Sequence, residues 1–194
     1  MKVVGITGGI GSGKSLVCQI FSRLGVPVYE SDKVVHLLYD KYPEINERVK
    51  KEFSEVVFDK NGKINRKKLG EIVFTDINKL GILNNIVHPI VKLDFEKWLK
   101  SNKGNNFVIK EAAILFESGA NENCDKIIAV ISPIELRIIR IKDRDHKTRS
   151  ETELIVSRQM KDEELIKLSD YVIYNDEIQM LIPQVLKING LLIK

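Results

Sequence analysis

Eight consecutive residues, Gly8-Gly9-Ile10-Gly11-Ser12-Gly13-Lys14-Ser15, constrain this chain more than any other stretch. They fill the pattern G-x-x-x-x-G-K-[ST]. A short apolar run at residues 3–7, which predicts a strand, precedes them, and residues 16–24, with a helical period, follow. Glycines let successive backbone N–H groups turn inward without a Cβ clash, forming a nest for phosphate oxygens. A helix opening near Gly13 aims the positive end of its dipole at the same place. Lys14 supplies a mobile point charge for β- and γ-phosphates, and the Ser15 hydroxyl is a ligand for Mg²⁺. A chance glycine-rich turn is the alternative, and the order strand, glycines, Gly-Lys-Ser, helix argues against it. The candidate ATP-binding residues are therefore Gly8, Gly9, Ile10, Gly11, Ser12, Gly13, Lys14, Ser15 and Leu16. Lys14 is also a candidate catalytic group, and Ser15 would hold the metal together with water and phosphates.

The rest of the chain reads as a frame for such a loop. Runs rich in Val and Ile at residues 3–7, 26–29, 107–110, 126–131 and 171–174 predict strands covered on both faces. They alternate with helical segments, the pattern of an α/β protein with a parallel sheet. Residues 32–104 interrupt that alternation with helical character and a turn at Asp59-Lys60-Asn61-Gly62-Lys63. They predict a helical lobe inserted into a core of residues 1–31, 105–132 and 170–194, a helical layer packed on the sheet being the alternative. Residues 133–169 are expected to form a lid of two helices joined through residues 142–149. Ser132-Pro133-Ile134-Glu135 reads as a helix start with Ser132 as N-cap, and Ser150-Glu151-Thr152-Glu153 as a capping box.

Composition excludes rather than selects. With 31 Lys plus Arg against 27 Asp plus Glu and 43% hydrophobic residues, the chain is neither disordered nor collagen-like. Its net charge of +4 suits an anionic small molecule as well as nucleic acid. The two cysteines, Cys18 and Cys124, are too few for a disulfide framework, so a reducing cytoplasm is expected. No apolar stretch approaches the roughly 18 residues of a spanning helix, and no signal peptide is visible.

Among P-loop proteins, a GTP switch would carry Asn-Lys-x-Asp, and the nearest match, Asn78-Lys79-Leu80-Gly81, lacks the acid. A motor ATPase would show an apolar strand ending in Asp, whereas the runs here end in Lys110-Glu111 and Ser132-Pro133. A small-molecule kinase needs less: the cradle, one acid near the acceptor hydroxyl, and arginines that close over the moving phosphoryl group. Asp32 follows the second strand at the carboxyl edge, where ligands bind in open α/β sheets. It could take a proton or hold Mg²⁺ through water, or merely cap the helix that starts there. Arg137, Arg140 and Arg144 share one helix face, either a solvated stripe or a lid over phosphates.

With these residues assembled, the chain resembles the dephospho-coenzyme A kinase family over nearly its whole length. Thr7 to Ser15 is similar to the family's opening signature, and Ser31-Asp32 sits where the family has Ala-Asp. Leu83-Asn84-Asn85-Ile86-Val87-His88-Pro89 and Ile114-Leu115-Phe116-Glu117 resemble two further family segments. Arg140 and Arg144 fall on paired lid arginines, Gln159 on a glutamine closing the next helix, and Ser169 to Asn175 on the family's closing motif. Leu16, Glu30 and Ala112-Ala113 depart from the pattern.

The resemblance implies a P-loop NTPase-type three-layer fold, with a parallel sheet, an inserted helical substrate lobe and a helical lid. It also implies transfer of the γ-phosphoryl of ATP to the ribose 3′-hydroxyl of dephospho-coenzyme A with Mg²⁺. Asp32 would be the catalytic acid/base, Arg140 would neutralise phosphoryl charge and Arg144 would contact ATP. Asp32, His88 and Glu117 would line the acceptor site, although His88 alone also reads as structural. The expected partners are ATP and dephospho-coenzyme A, not nucleic acid or a membrane, with the chain a monomer or weak homo-oligomer in the cytoplasm. Another P-loop kinase of a nucleoside or nucleoside monophosphate, or a nucleotide-dependent switch, are the competing readings. His36, His146, Cys18 and Trp98 are expected to be structural.

Overall fold

The computed structural model describes the backbone of residues 1–194 and all side chains except those of His36, Arg66, Phe74, Thr75 and Ile77. The chain divides into two compact units, Met1–Glu30 with Asn102–Lys194, and Ser31–Ser101.

The first unit is built on a parallel sheet: β1 (Lys2–Thr7), β2 (Val28–Glu30), β3 (Phe107–Glu111), β4 (Lys126–Ile131) and β5 (Tyr171–Tyr174), in the order β2-β3-β1-β4-β5. The continuous apolar runs are explained by coverage on both faces, and side-chain parity divides them. Val4 and Ile6 of β1, Ile109 of β3 and Ile128 and Val130 of β4 pack with α1 (Lys14–Arg23) and α9 (Leu181–Leu192) through Val17, Phe21, Val185 and Ile188. Ala129 and Ile131 face the other way, onto Leu165 of α8 (Asp162–Leu168). The segment after β3 covers that second face beside Ile127 through Ala112 and Leu115. The result is three layers, helix, sheet and helix.

Between β4 and α8 run α6 (Ile134–Asp145) and α7 (Arg149–Val156), so the excursion expected to hold two helices holds three. Both anticipated starts differ in detail. Pro133, not Ser132, is the N-cap of α6, because the Ser132 hydroxyl is used elsewhere, accepting from Arg140 Nη1 at 3.0 Å. The capping box lies two residues before the expected one: Thr148 Oγ1 accepts from Glu151 N–H (3.3 Å), and Glu151 Oε2 accepts from Thr148 N–H (2.7 Å). Strand β2 begins two residues later than expected, at Val28.

The second unit is helical: α2 (Ser31–Lys41), α3 (Pro43–Phe53), α4 (Arg66–Thr75) and α5 (Ile77–Ser101). Leu38, Ile45, Val49, Phe53, Leu69, Val73, Ile86, Val87 and Ile90 form its core. The turn anticipated at Asp59 forms, its carboxylate accepting from the N–H groups of Asn61 and Lys63, with Gly62 at φ 73°. Helix α5 continues through Pro89 to Ser101. Apolar spacing past the proline, at Ile90 and the buried Phe95, keeps one face packed despite the missing N–H. Trp98 stacks on Phe95 at 5.9 Å, a packing role as anticipated.

Candidate active site

Strand β1 delivers the chain to the carboxyl edge of the sheet, and residues 8–13 turn there before α1 begins at Lys14. Gly8, Gly11 and Gly13 take φ values of 149°, 76° and 95°, which side chains rarely adopt. Space is as restrictive as conformation: a Cβ at Gly8 would strike the Val130 carbonyl, one at Gly9 the Arg137 guanidinium, and one at Gly13 the Asn175 amide.

The carbonyls of residues 8–12 are all held by side-chain donors, one from the start of α1 and the others from residues remote in sequence. Lys14 Nζ donates to the Gly8 and Gly9 carbonyls (2.8 and 3.3 Å), and Arg137 Nε to the Ile10 carbonyl (2.9 Å). Arg140 Nη1 donates to the Gly11 carbonyl (3.4 Å), and Asn175 Nδ2 to the Ser12 carbonyl (2.8 Å). The Ile10 N–H donates to Gln159 Oε1 (2.8 Å) and the Ser12 N–H to the Gly9 carbonyl (3.1 Å), and the loop leads into the N-terminus of α1, the setting of an anion site. Two hydroxyls beside it, Thr7 Oγ1 and Ser12 Oγ, are buried with no hydrogen-bond partner, and buried hydroxyls ordinarily have one. Ser15 is exposed in the first turn of α1. The cradle, the orphaned hydroxyls and the Ser15 hydroxyl fit a metal-bound nucleotide. Among the described residues no three His, Cys, Asp or Glu cluster as an all-protein metal cage.

The sequence-predicted residues fall into distinct places. Gly8 through Leu16 form the loop and the first turn of α1. Arg140 reaches the loop, and its Nη2 also donates to the Asn175 carbonyl (3.3 Å) and Glu177 Oε1 (3.0 Å). Arg144 does not reach it, being exposed and bidentate on its neighbour Asp145 at 2.7 Å. Glu117 Oε1 accepts from the Met160 N–H (3.0 Å), tying the segment after β3 to the chain between α7 and α8. Asp32 is exposed in the first turn of α2, directly after β2, and His88 is exposed in the middle of α5, so both belong to the helical unit. His36 lies outside the described side chains.

Four residues with a place at the site carried little or no weight in the sequence. Arg137, Gln159 and Asn175 grip the loop across long stretches of chain, and no local pattern marks such a grip. Gln159 Oε1 accepts from the Ile10 N–H at 2.8 Å. Glu111 is buried at the end of β3, in register with Ile6 of β1. An apolar strand ending in a carboxylate was its signal, discounted because the acid is Glu.

Similarity to known proteins agrees with the geometry. A family model described as dephospho-CoA kinase matches residues 2–180. The chain belongs to the dephospho-CoA kinase family. A dephospho-CoA kinase of Fusobacterium nucleatum is 42% identical over 176 residues, 91% of this chain and 90% of that protein. One of Aquifex aeolicus is 40% identical over 178 residues, 90% and 89% of the two chains. A crystal structure from Thermus thermophilus, 30% identical, superposes over 98% of this chain and 96% of its own with a TM-score of 0.87. The dephospho-CoA kinase from Campylobacter jejuni, 28% identical, covers 97% and 95% with a TM-score of 0.68. Shikimate kinase from Acinetobacter baumannii, 14% identical with a TM-score of 0.53, shares the fold alone. Membership places the chain among kinases that use ATP. Among its described residues no helix is long and apolar enough to cross a membrane.

Proposed function

We propose that this chain transfers the γ-phosphoryl group of ATP to the ribose 3′-hydroxyl of dephospho-coenzyme A, giving coenzyme A and ADP. The observation that carries the reading is the family match across residues 2–180, a span that includes the glycine-rich loop and Lys14. In the reaction the acceptor oxygen bonds to the γ-phosphorus, the bond from that phosphorus to the β–γ bridging oxygen breaks, and the hydroxyl proton leaves. Asp32 orients the hydroxyl and takes the proton. The loop amides and Lys14 hold the β- and γ-phosphates, Lys14 exchanging the Gly8 and Gly9 carbonyls for phosphate oxygens. Arg140, and Arg144 once released from Asp145, neutralise the equatorial oxygens, a role that gains strength where water is excluded. His88 and Glu117 belong to the acceptor side.

Mg²⁺, held by Ser15 and through water by Glu111, would spread charge over the β- and γ-phosphates. We place the enzyme in the cytoplasm, a reading that its two free cysteines support, and as a monomer or weak homo-oligomer. The test is ADP release from Mg-ATP with dephospho-coenzyme A, beside AMP, CMP, dTMP, adenosine and no acceptor. Stimulation by dephospho-coenzyme A alone is expected. Stimulation by a nucleoside or its monophosphate instead would replace the acceptor, and none by any acceptor would favour a nucleotide-dependent switch.

A further inference from the structure

Ile10, at the crown of the loop, is gripped on both its polar groups by one region of the chain. Its N–H donates to Gln159 Oε1 (2.8 Å), in the link between α7 and α8. Its carbonyl accepts from Arg137 Nε (2.9 Å), on α6. The buried Arg137 is in turn held by Asp162, the first residue of α8, with Nη1 to Oδ1 at 3.2 Å. The guanidinium lies so close over Gly9 that any Cβ there would overlap it, and the Arg137 carbonyl would lie 2.8 Å from a Cβ on Gly11. The link itself is pinned by the Met160 N–H to Glu117. Burial pulls the Arg137 guanidinium below its ordinary value and pushes the Asp162 carboxyl up, and the attraction between the two offsets part of both effects.

A glycine-rich nest is conformationally soft, because glycine backbone is the least restricted of any residue. A loop with glycines at positions 8, 9, 11 and 13 does not hold one conformation unaided. Ile10 lies between two of those glycines, so fixing its orientation fixes the direction in which the following amides face. We propose that Gln159, together with Arg137 held by Asp162, is a positioning set that presets the phosphate nest. The α7–α8 link, remote in sequence, thereby controls affinity for the nucleotide's phosphates and not affinity for the acceptor. The inference deepens the proposed reaction and rests on it only for ATP as donor.

The test compares wild type with Gln159→Met, which keeps length and apolar bulk but removes the acceptor, and Gln159→Glu, which restores one. Three quantities are read: the exchange rate of the Ile10 amide hydrogen, equilibrium affinity for ADP, and equilibrium affinity for dephospho-coenzyme A. Gln159→Met should speed Ile10 exchange and weaken ADP about three- to tenfold, the worth of one hydrogen bond, while dephospho-coenzyme A stays within about twofold. Gln159→Glu should keep Ile10 exchange near the wild-type rate. Unchanged Ile10 exchange or unchanged ADP affinity in Gln159→Met would overturn the proposal, as would a parallel loss of both ligands, the mark of a purely structural role. Should Gln159→Met not fold, Asp162→Asn decides the matter: weaker ADP with unchanged dephospho-coenzyme A supports it, and unchanged ADP overturns it. If wild type binds ADP with these dependences but does not phosphorylate dephospho-coenzyme A, the acceptor assignment fails and the positioning set stands.

Discussion

Gly13→Ala probes the assembly of the cradle at its most crowded point. Gly13 has φ 95°, and a Cβ there would overlap Asn175 Nδ2, the group that donates to the Ser12 carbonyl at 2.8 Å. Forcing alanine into left-handed backbone costs about 1–2 kcal/mol. Displacing Asn175 forfeits a hydrogen bond worth about 1 kcal/mol net. Lower entropy of the unfolded chain returns about 0.5–1 kcal/mol. The net destabilisation is about 1–2 kcal/mol, and for a chain of this size each kcal/mol lowers Tm by about 2–4 °C. Asn175→Ala alone leaves the Ser12 carbonyl without that donor and costs about 1–3 kcal/mol. In that background Gly13→Ala should cost about 1 kcal/mol less than in wild type, because the overlap is gone and only the backbone strain remains. Thermal unfolding of the four proteins measures the coupling. Equal costs in both backgrounds would refute the argument that Asn175 sets the space around Gly13, and no cost in either would refute the backbone argument as well.

Lys14→Ala should lower turnover by at least about tenfold, since it removes a charge-assisted contact to the moving phosphate, and steady-state ADP release reads it. Asp32→Asn should lower kcat while ADP affinity is kept; unchanged kcat would leave Asp32 as a helix-terminal acid only. The Thr148 hydroxyl, and then its N–H, hold the Glu151 carboxyl below its usual value of 4.5. The contribution of the α7 cap is therefore complete above that value and is lost as pH falls through the lower folded value. Glu151→Gln should lower Tm at neutral pH, and the gap from wild type should close as the medium is acidified. Burial pushes the Cys124 thiol up to about 11, so in native protein at about pH 8 it should resist alkylation until unfolding exposes it, as mass spectrometry would show.

What the sequence revealed and what it hid separate by distance along the chain. The nest was legible because its strand, glycines, lysine and helix are contiguous, and β4 and β5 because buried parallel strands are unbroken apolar runs. A proline such as Pro89 is locally a helix-end signal, yet α5 is held through it by apolar residues on both sides. Ser132 misled because a competent cap residue was taken by a tertiary partner, Arg140. The grip on the loop was hidden altogether. Gln159 is 149 residues from Ile10 and Asn175 is 163 from Ser12, so family resemblance could mark both positions while their partners became visible only in the fold. Arg137 looked like one member of a solvated arginine stripe, yet it is buried, while Arg144 from the same stripe is exposed. Helical period puts these residues on one side of α6; the sheet and loop beside them decide which of them is covered.

The most direct test of the central claim is the identity of the product. Dephospho-coenzyme A incubated with Mg-ATP and this protein should yield ADP and one new compound that is heavier by a single phosphoryl group. Phosphorus NMR should place that group on the ribose 3′-oxygen. A phosphate on any other oxygen, or ADP appearing while dephospho-coenzyme A remains unmodified, would contradict the account.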